Sequence, residues 1–208
     1  MSGRARVAVL AAAFALAAPA AAWAVPDLLL TRATFRAGAS PGPPPDDAPG
    51  WKPVTLPDAW SERRPETFGE GWYRLEFDLD AVPSEPFAVY LDHLSMNGAL
   101  WLDGSFVGQH GRMQPPVAQN WNRPLLFPLP AALLHAGTNV LHVQLHRLPY
   151  CYGGLGPVRV GDAAALDALA ARQTFWRIDV ARASTVASLL FAAIMLAFWL
   201  GAHDPAYA

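Results

Sequence analysis

An all-β sandwich of jelly-roll type, followed by one helix that continues into a transmembrane span, is the architecture this sequence predicts. Three observations carry the prediction. From Gly71 to Gly108 apolar residues alternate with polar ones at period 2, in three or four short runs. At Ala163 the period changes to that of a helix, and from Ala183 to Ala202 no charge interrupts about twenty residues.

The chain begins with Arg4 and Arg6, an apolar run from Val7 to Ala18, and Ala22-Trp23-Ala24 before Val25. This is the layout of a secretory signal peptide over residues 1–24, with an uncleaved anchor as the alternative. The arginines are not adjacent, which favours the general secretion route over the twin-arginine one. Residues 25–50 hold an opening strand up to Arg36 and then GASPGPPPDDAPG, whose five prolines in thirteen residues cannot join a ladder and read as a surface loop or linker. WKPVTLPDAW, Trp51 to Trp60, reads as an edge strand.

The β-domain is expected over residues 51–162. Tyr73, Leu75, Phe77 and Leu79 point one way and Arg74, Glu76 and Asp78 the other. Phe87, Val89 and Leu91 form a second strand, and Leu100 and Leu102 a third. Asp103-Gly104 then supplies the positive φ angles of a tight hairpin turn. The long polar stretch Gln109 to Pro124 is a loop of the kind that often carries function. RPLLFPLP, TNVLHVQLHRL and GPVRVGD complete about eight strands, with a helical turn in AALLHAG stopped at Gly137. Asp162 is placed to cap an amphipathic helix over 163–182, and 183–202 is expected to span the bilayer, with Trp199 near the far interface and a short tail at 203–208. Arg172, Arg177 and Arg182 flank the span on the side a cleaved signal peptide makes the outer one, against the positive-inside bias; the signal peptide takes precedence.

Charge and composition exclude much. A formal net charge of -2 without long runs offers no nucleic-acid surface. The one cysteine, Cys151, cannot form an intramolecular disulfide and reads as a small buried apolar group. His142 and His146 share one strand face but stand roughly 13 Å apart, too far to share a metal, and read as surface histidines. No pair among Glu62, Glu66, Glu70, Glu76 and Asp78 is singled out for glycosidic chemistry, and no nucleophile elbow, phosphate loop or dinucleotide fingerprint is present. No catalytic residue, metal or cofactor is therefore assigned. The candidate binding residues are Trp60, Arg112, Gln114, Trp121, Asn122 and Arg123, because planar rings beside amides and guanidinium groups suit sugars or carboxylates. The competing reading has Trp121 plugging the sandwich and Arg123 capping carbonyls.

The succession WKPVTLPDAW, GWYRLEFDL, FAVYLDHLSMNGALWLDGSFVGQHG and LHAGTNVLHVQL resembles the galactose-binding-like jelly roll that opens family 2 glycoside hydrolases, where it is an accessory domain without catalytic residues. NWNRPLLFPLP, LGPVRVG and RQTFWRIDVARAS leading into an apolar stretch are similar to the periplasmic sensor domain of bacterial seven-transmembrane receptors with diverse intracellular signalling modules, typically histidine kinases or diguanylate cyclases. The resemblance implies an N-terminal portion of such a receptor: a periplasmic sandwich and a first span in the inner membrane, without the transmitter. The expected partners are a glycan or small-molecule ligand and the lipid bilayer, with no nucleic acid, and a homodimer is left open. Two other roles remain: a membrane-anchored carbohydrate-binding module without signalling, and a structural envelope protein.

Overall fold

The computed structural model describes residues 27–94, 97–112, 123–149, 151 and 153–202. The signal peptide, the tail at 203–208, and three of the candidate binding residues, Gln114, Trp121 and Asn122, lie outside them.

Twelve strands are present among the described residues: β1 (Leu28–Leu30), β2 (Arg32–Ala37), β3 (Lys52–Thr55), β4 (Asp58–Ala59), β5 (Gly69–Leu79), β6 (Phe87–Leu91), β7 (Gly98–Leu102), β8 (Ser105–His110), β9 (Leu125–Leu129), β10 (Gly137–Arg147), β11 (Gly154–Leu155) and β12 (Val158–Asp162). They form a four-stranded sheet in the order β1-β12-β6-β9, a six-stranded sheet in the order β3-β2-β5-β10-β7-β8, and a small pair, β11-β4. The named strands all pair antiparallel. The sequence reading gives about eight because β1, β4 and β11 are two- or three-residue strands with no alternation to read.

The two sheets face each other across one apolar core. From β5 come Tyr73, Leu75, Phe77 and Leu79, from β10 Leu141, Val143 and Leu145, and from β6 Phe87, Val89 and Leu91, all on the inward phase the alternation assigns. The β7–β8 turn is the two-residue hairpin expected: Asp103 and Gly104 both have positive φ, 47° and 79°. Asp103 also fixes the turn to β10, accepting the Val140 N–H through Oδ1 at 2.9 Å. AALLHAG forms a 3₁₀ turn at Ala131–Leu133 rather than an α-helical one.

Three helices follow the chain order: a single turn α1 (Trp60–Arg63), α2 (Ala163–Thr174) and α3 (Val180–Ala202), the last two joined without a break by a π-helical turn at Phe175–Asp179. Asp162 caps α2 as expected, its Oδ1 accepting the Ala165 N–H at 2.8 Å. The first part of this helix is not a free stalk. Leu166, Leu169 and Ala170 pack on Ala88, Tyr90 and Leu126, covering the outer face of the four-stranded sheet. That is why all five residues of β6 are buried although its sequence alternates: one face meets the core and the other meets α2.

Beyond the π turn the surroundings change. Arg177 grips Asp92 just past β6, with Nη2 donating to both carboxylate oxygens at 2.9 and 3.1 Å and Nη1 to the Asp92 carbonyl at 3.0 Å. The Tyr90 hydroxyl donates to the same carboxylate at 2.9 Å. α3 then leaves the sandwich with its apolar side chains exposed. By length and composition, the segment Ala163–Leu200 contains the one helix among the described residues that is long and apolar enough to cross a membrane.

Candidate functional site

The outer face of the six-stranded sheet is where the aromatic and polar groups gather. Register aligns Arg36, Trp72, Gln144 and Ala99 in one row across β2, β5, β10 and β7, and Thr34, Arg74, His142 and Trp101 in the next. Phe106 of β8 stands opposite Trp101. Trp72 and Trp101 pack with ring centroids 4.9 Å apart, and Trp101 meets Phe106 edge-on at 5.3 Å. Ala99, two residues before Trp101 on the same face of β7, belongs to this second apolar cluster together with Trp51. The tryptophans share the phase of Arg74 and Glu76, opposite to the core, so the outer face is apolar at one end and ionic at the other.

The proline-rich segment predicted as a surface loop lies across this face as a strap. It closes on itself, with Trp51 Nε1 donating to the Pro45 carbonyl at 3.0 Å and the Ala48 N–H to the same oxygen at 3.0 Å. Its polar tethers to the sheet include the Gly38 N–H to the Glu70 carbonyl at 2.9 Å, Arg36 Nε to the Pro49 carbonyl at 3.2 Å, and Arg74 Nη2 to Asp46 Oδ2 at 2.8 Å. Asp46 Oδ1 lies 3.6 Å from His142 Nε2, and Trp51 stacks at a tilt on the His142 ring. His142 is consequently buried, a correction to its reading as a surface histidine; the covering strap begins a hundred residues earlier in the chain.

Arg74 also pairs with Glu76 at 2.6 Å, so one guanidinium serves two carboxylates. Its hydrogen bond pulls the Asp46 carboxyl below the usual range, and the same bond raises the guanidinium pKa. Burial is the larger influence on His142 and pushes its imidazole pKa down, against the smaller upward pull of Asp46. The unfolded chain then binds a proton at higher pH than the folded one. The linked stability is complete above the unfolded value of about 6.5 and falls as pH drops below it towards the lower folded value. Replacing His142 by asparagine is expected to flatten this acid limb below about pH 6.5, as read from melting temperature against pH; an unchanged limb would refute the assignment.

Several polar atoms on this face are buried without a partner: Thr34 Oγ1, Trp72 Nε1, Arg74 Nε, both His142 ring nitrogens and His146 Nδ1. Native interiors leave few such groups, and each calls for an explanation. The alternation could have revealed this surface, since Trp72 and Trp101 fall on the polar phase of their strands.

The residues selected from sequence are distributed differently. Trp60 is fully buried on α1, edge-on to Phe35 at 4.9 Å, which corrects its place among ligand-stacking residues: no face is open to a ligand. A Cβ on Gly71 would lie 2.7 Å from both the Trp60 and Phe35 rings, so only glycine fits beneath them. Arg112 and Arg123 are exposed where the loop leaves β8 and enters β9, and the Arg112 carbonyl accepts Asn97 Nδ2 at 2.8 Å. Cys151 is free and half-buried, its carbonyl accepting Arg147 Nε at 3.3 Å. Among the described residues no three His, Cys, Asp or Glu side chains converge on a metal position.

Two buried charges at the loop-bearing end went unread in the sequence. Asp58 accepts hydrogen bonds from Arg64 and, at 2.5 Å, from the Tyr73 hydroxyl; the Arg64 guanidinium lies over the Phe35 ring at 4.2 Å. Arg147, at the end of β10, donates through Nη1 to the carbonyls of Arg64, Pro65 and Thr67. Both clusters shape the segment between β4 and β5, and both are structural.

The family model of the beta-galactosidase second all-beta domain matches residues 37–148. Among solved structures, a glycosyl hydrolase family 2 member from Bacteroides cellulosilyticus superposes with a TM-score of 0.52 at 18% identity, over 65% of this chain and 20% of that one. A beta-glucuronidase from Faecalibacterium prausnitzii gives 0.50 at 16% identity, over 70% and 33%. The Ruminococcus gnavus beta-glucuronidase with D-glucaro 1,5-lactone gives 0.50 at 14%, over 66% and 29%. The chain thus spans a third or less of these enzymes, and at such identities the likeness shows the fold. No curated protein matches the chain. The family match extends over more than half of the 208 residues: the chain belongs to the family of the beta-galactosidase second all-beta domain.

Proposed function

We propose that this chain is the extracytoplasmic input domain of a membrane signalling receptor, in which the sandwich binds a carbohydrate or another small molecule and α3 anchors it in the inner membrane. The carrying observation is the join. α2 is packed on the four-stranded sheet, Arg177 locks the π turn to Asp92, and the same helix runs on into an exposed apolar segment. A displacement in the sandwich would reach α3 through one rigid element. Trp199 is exposed near the end of the charge-free run 183–202, which supports placing that end of α3 at the far interface of a bilayer. In this reading the residues assign no catalytic step, and residues 1–24 direct export to the periplasm.

The full chain in lipid nanodiscs, screened by thermal shift against neutral sugars, glycan fragments and small carboxylates, tests the binding role. At least one class is expected to raise the melting temperature; no shift across the panel would contradict it. Sequencing the coding frame past Ala208 tests the signalling role, because further apolar spans support a receptor and an immediate stop codon supports an anchored binding module instead.

A further inference from the structure

We infer that the outer face of the six-stranded sheet is a binding site for a hexuronate, a sugar bearing a carboxylate, and that Asp46 of the strap occupies the carboxylate position in the ligand-free protein. The inference rests on the ligand-binding reading above and gives that reading a site and a ligand class. Arg74 and His142 lie side by side on β5 and β10 and converge on Asp46, one through a 2.8 Å hydrogen bond and the other at 3.6 Å. Asp46 itself is 56% exposed on its side chain, whereas His142 is 6% exposed. The receiving groups are thus built into the sheet, and the carboxylate is supplied by a surface segment. An exposed ion pair of this kind is weak and exchangeable.

The unpartnered atoms point the same way. Strap and sheet leave both His142 ring nitrogens, Arg74 Nε, Thr34 Oγ1 and Trp72 Nε1 buried without hydrogen bonds; the Trp72 and His142 residues are 0% and 4% exposed. A sugar brings many hydroxyls, each able to donate and accept, where the strap brings one carboxylate and proline carbonyls. Next to His142, one strand spacing of about 4.8 Å away, Trp101 and then Phe106 present an aromatic surface, with Phe106 57% exposed. A pyranose stacked there places a C5 carboxylate within reach of His142 and Arg74. The acidic neighbours limit the site to one carboxylate: Glu76 already pairs with Arg74, and Glu70 accepts from Gln144 at 2.9 Å. The strap is anchored at its two ends, by the Gly38 N–H donating to the Glu70 carbonyl and by Trp51 packed on Trp72 and Trp101, and between them Asp46 is held to the sheet by the Arg74 hydrogen bond and the His142 contact, so its carboxylate can be displaced while the ends stay in place.

The test is calorimetric titration of the full chain in nanodiscs with D-galacturonate, D-galactose and acetate. Galacturonate is expected to bind, galactose at least about tenfold more weakly for want of the charge-assisted contact, and acetate not measurably. Asp46→Asn removes the internal competitor and is expected to tighten galacturonate binding about two- to fivefold. Arg74→Gln is expected to abolish the preference for galacturonate over galactose. Tighter binding in Asp46→Asn could not arise from a structural role alone. Weaker or unchanged binding in that variant, equal affinity for galactose, or acetate binding as well as the uronate would each overturn the inference. A sugar from the wider panel that binds independently of Arg74 and Trp101 would overturn this site while leaving the ligand-binding reading intact.

Discussion

Trp60→Ala is expected to lower folding stability by about 3–5 kcal/mol, the cost of deleting a large aromatic from a packed core. The Trp60 ring is fully buried, touches Phe35, and lies against Gly71, whose missing side chain makes its room. Removal leaves a cavity walled by sheet residues that cannot collapse, because β2 and β5 are paired from Thr34 to Ala37. The measurement is a denaturant midpoint for the full chain in nanodiscs, beside Trp60→Phe, which fills part of the space and is expected to cost less. A loss below about 1 kcal/mol, in the range of surface substitutions, would show the ring to be peripheral.

Asp58→Ala is expected to cost a similar amount, about 3–5 kcal/mol, by a different route. The Asp58 carboxylate is inaccessible, and Arg64 and the Tyr73 hydroxyl both point at it. Burial first, and then the hydrogen bond to Asp58, drive the Tyr73 phenol far above its ordinary range. With the carboxylate gone, the guanidinium of an arginine whose side chain is only 21% exposed and a buried hydroxyl lose their acceptor together. Tyr73→Phe therefore has a distinct expected outcome in each background: destabilising in the native chain, and close to neutral once Asp58 is alanine. Equal losses in both backgrounds would mean that the two groups are not coupled.

What the sequence made legible is what depends on neighbours close in the chain. The alternation of Tyr73, Leu75, Phe77 and Leu79 gave the inward phase of β5, and Leu141, Val143 and Leu145 that of β10, because a strand's two faces are set by parity alone. Asp103-Gly104 and the Asp162 cap are equally local, and each appears where its chemistry placed it. Residues whose surroundings come from distant segments were misread. Trp60 looked like a loop tryptophan because nothing nearby shows Phe35 and Gly71 closing on it. His142 looked exposed because its cover, Asp46 and Trp51, is more than ninety residues upstream. Ala88 and Tyr90 had the phase of an outward face, and only α2, more than seventy residues later, buries them. The candidate site on the outer face combines both cases: Trp72 and Trp101 could be placed by parity, but their meeting required knowing that β10 separates β5 from β7.

Sandwich and apolar helix are expected to move as one rigid body, and pulsed dipolar spectroscopy between two spin labels measures whether they do. In a Cys151→Ser background, Ser105→Cys labels the six-stranded sheet and Ala181→Cys labels α3 just beyond the π turn, both at exposed positions. In nanodiscs the account predicts one narrow distance distribution, broadened when Arg177→Ala removes the grip on Asp92. A broad distribution in the protein with Arg177 intact would place a hinge between sandwich and helix and contradict the account.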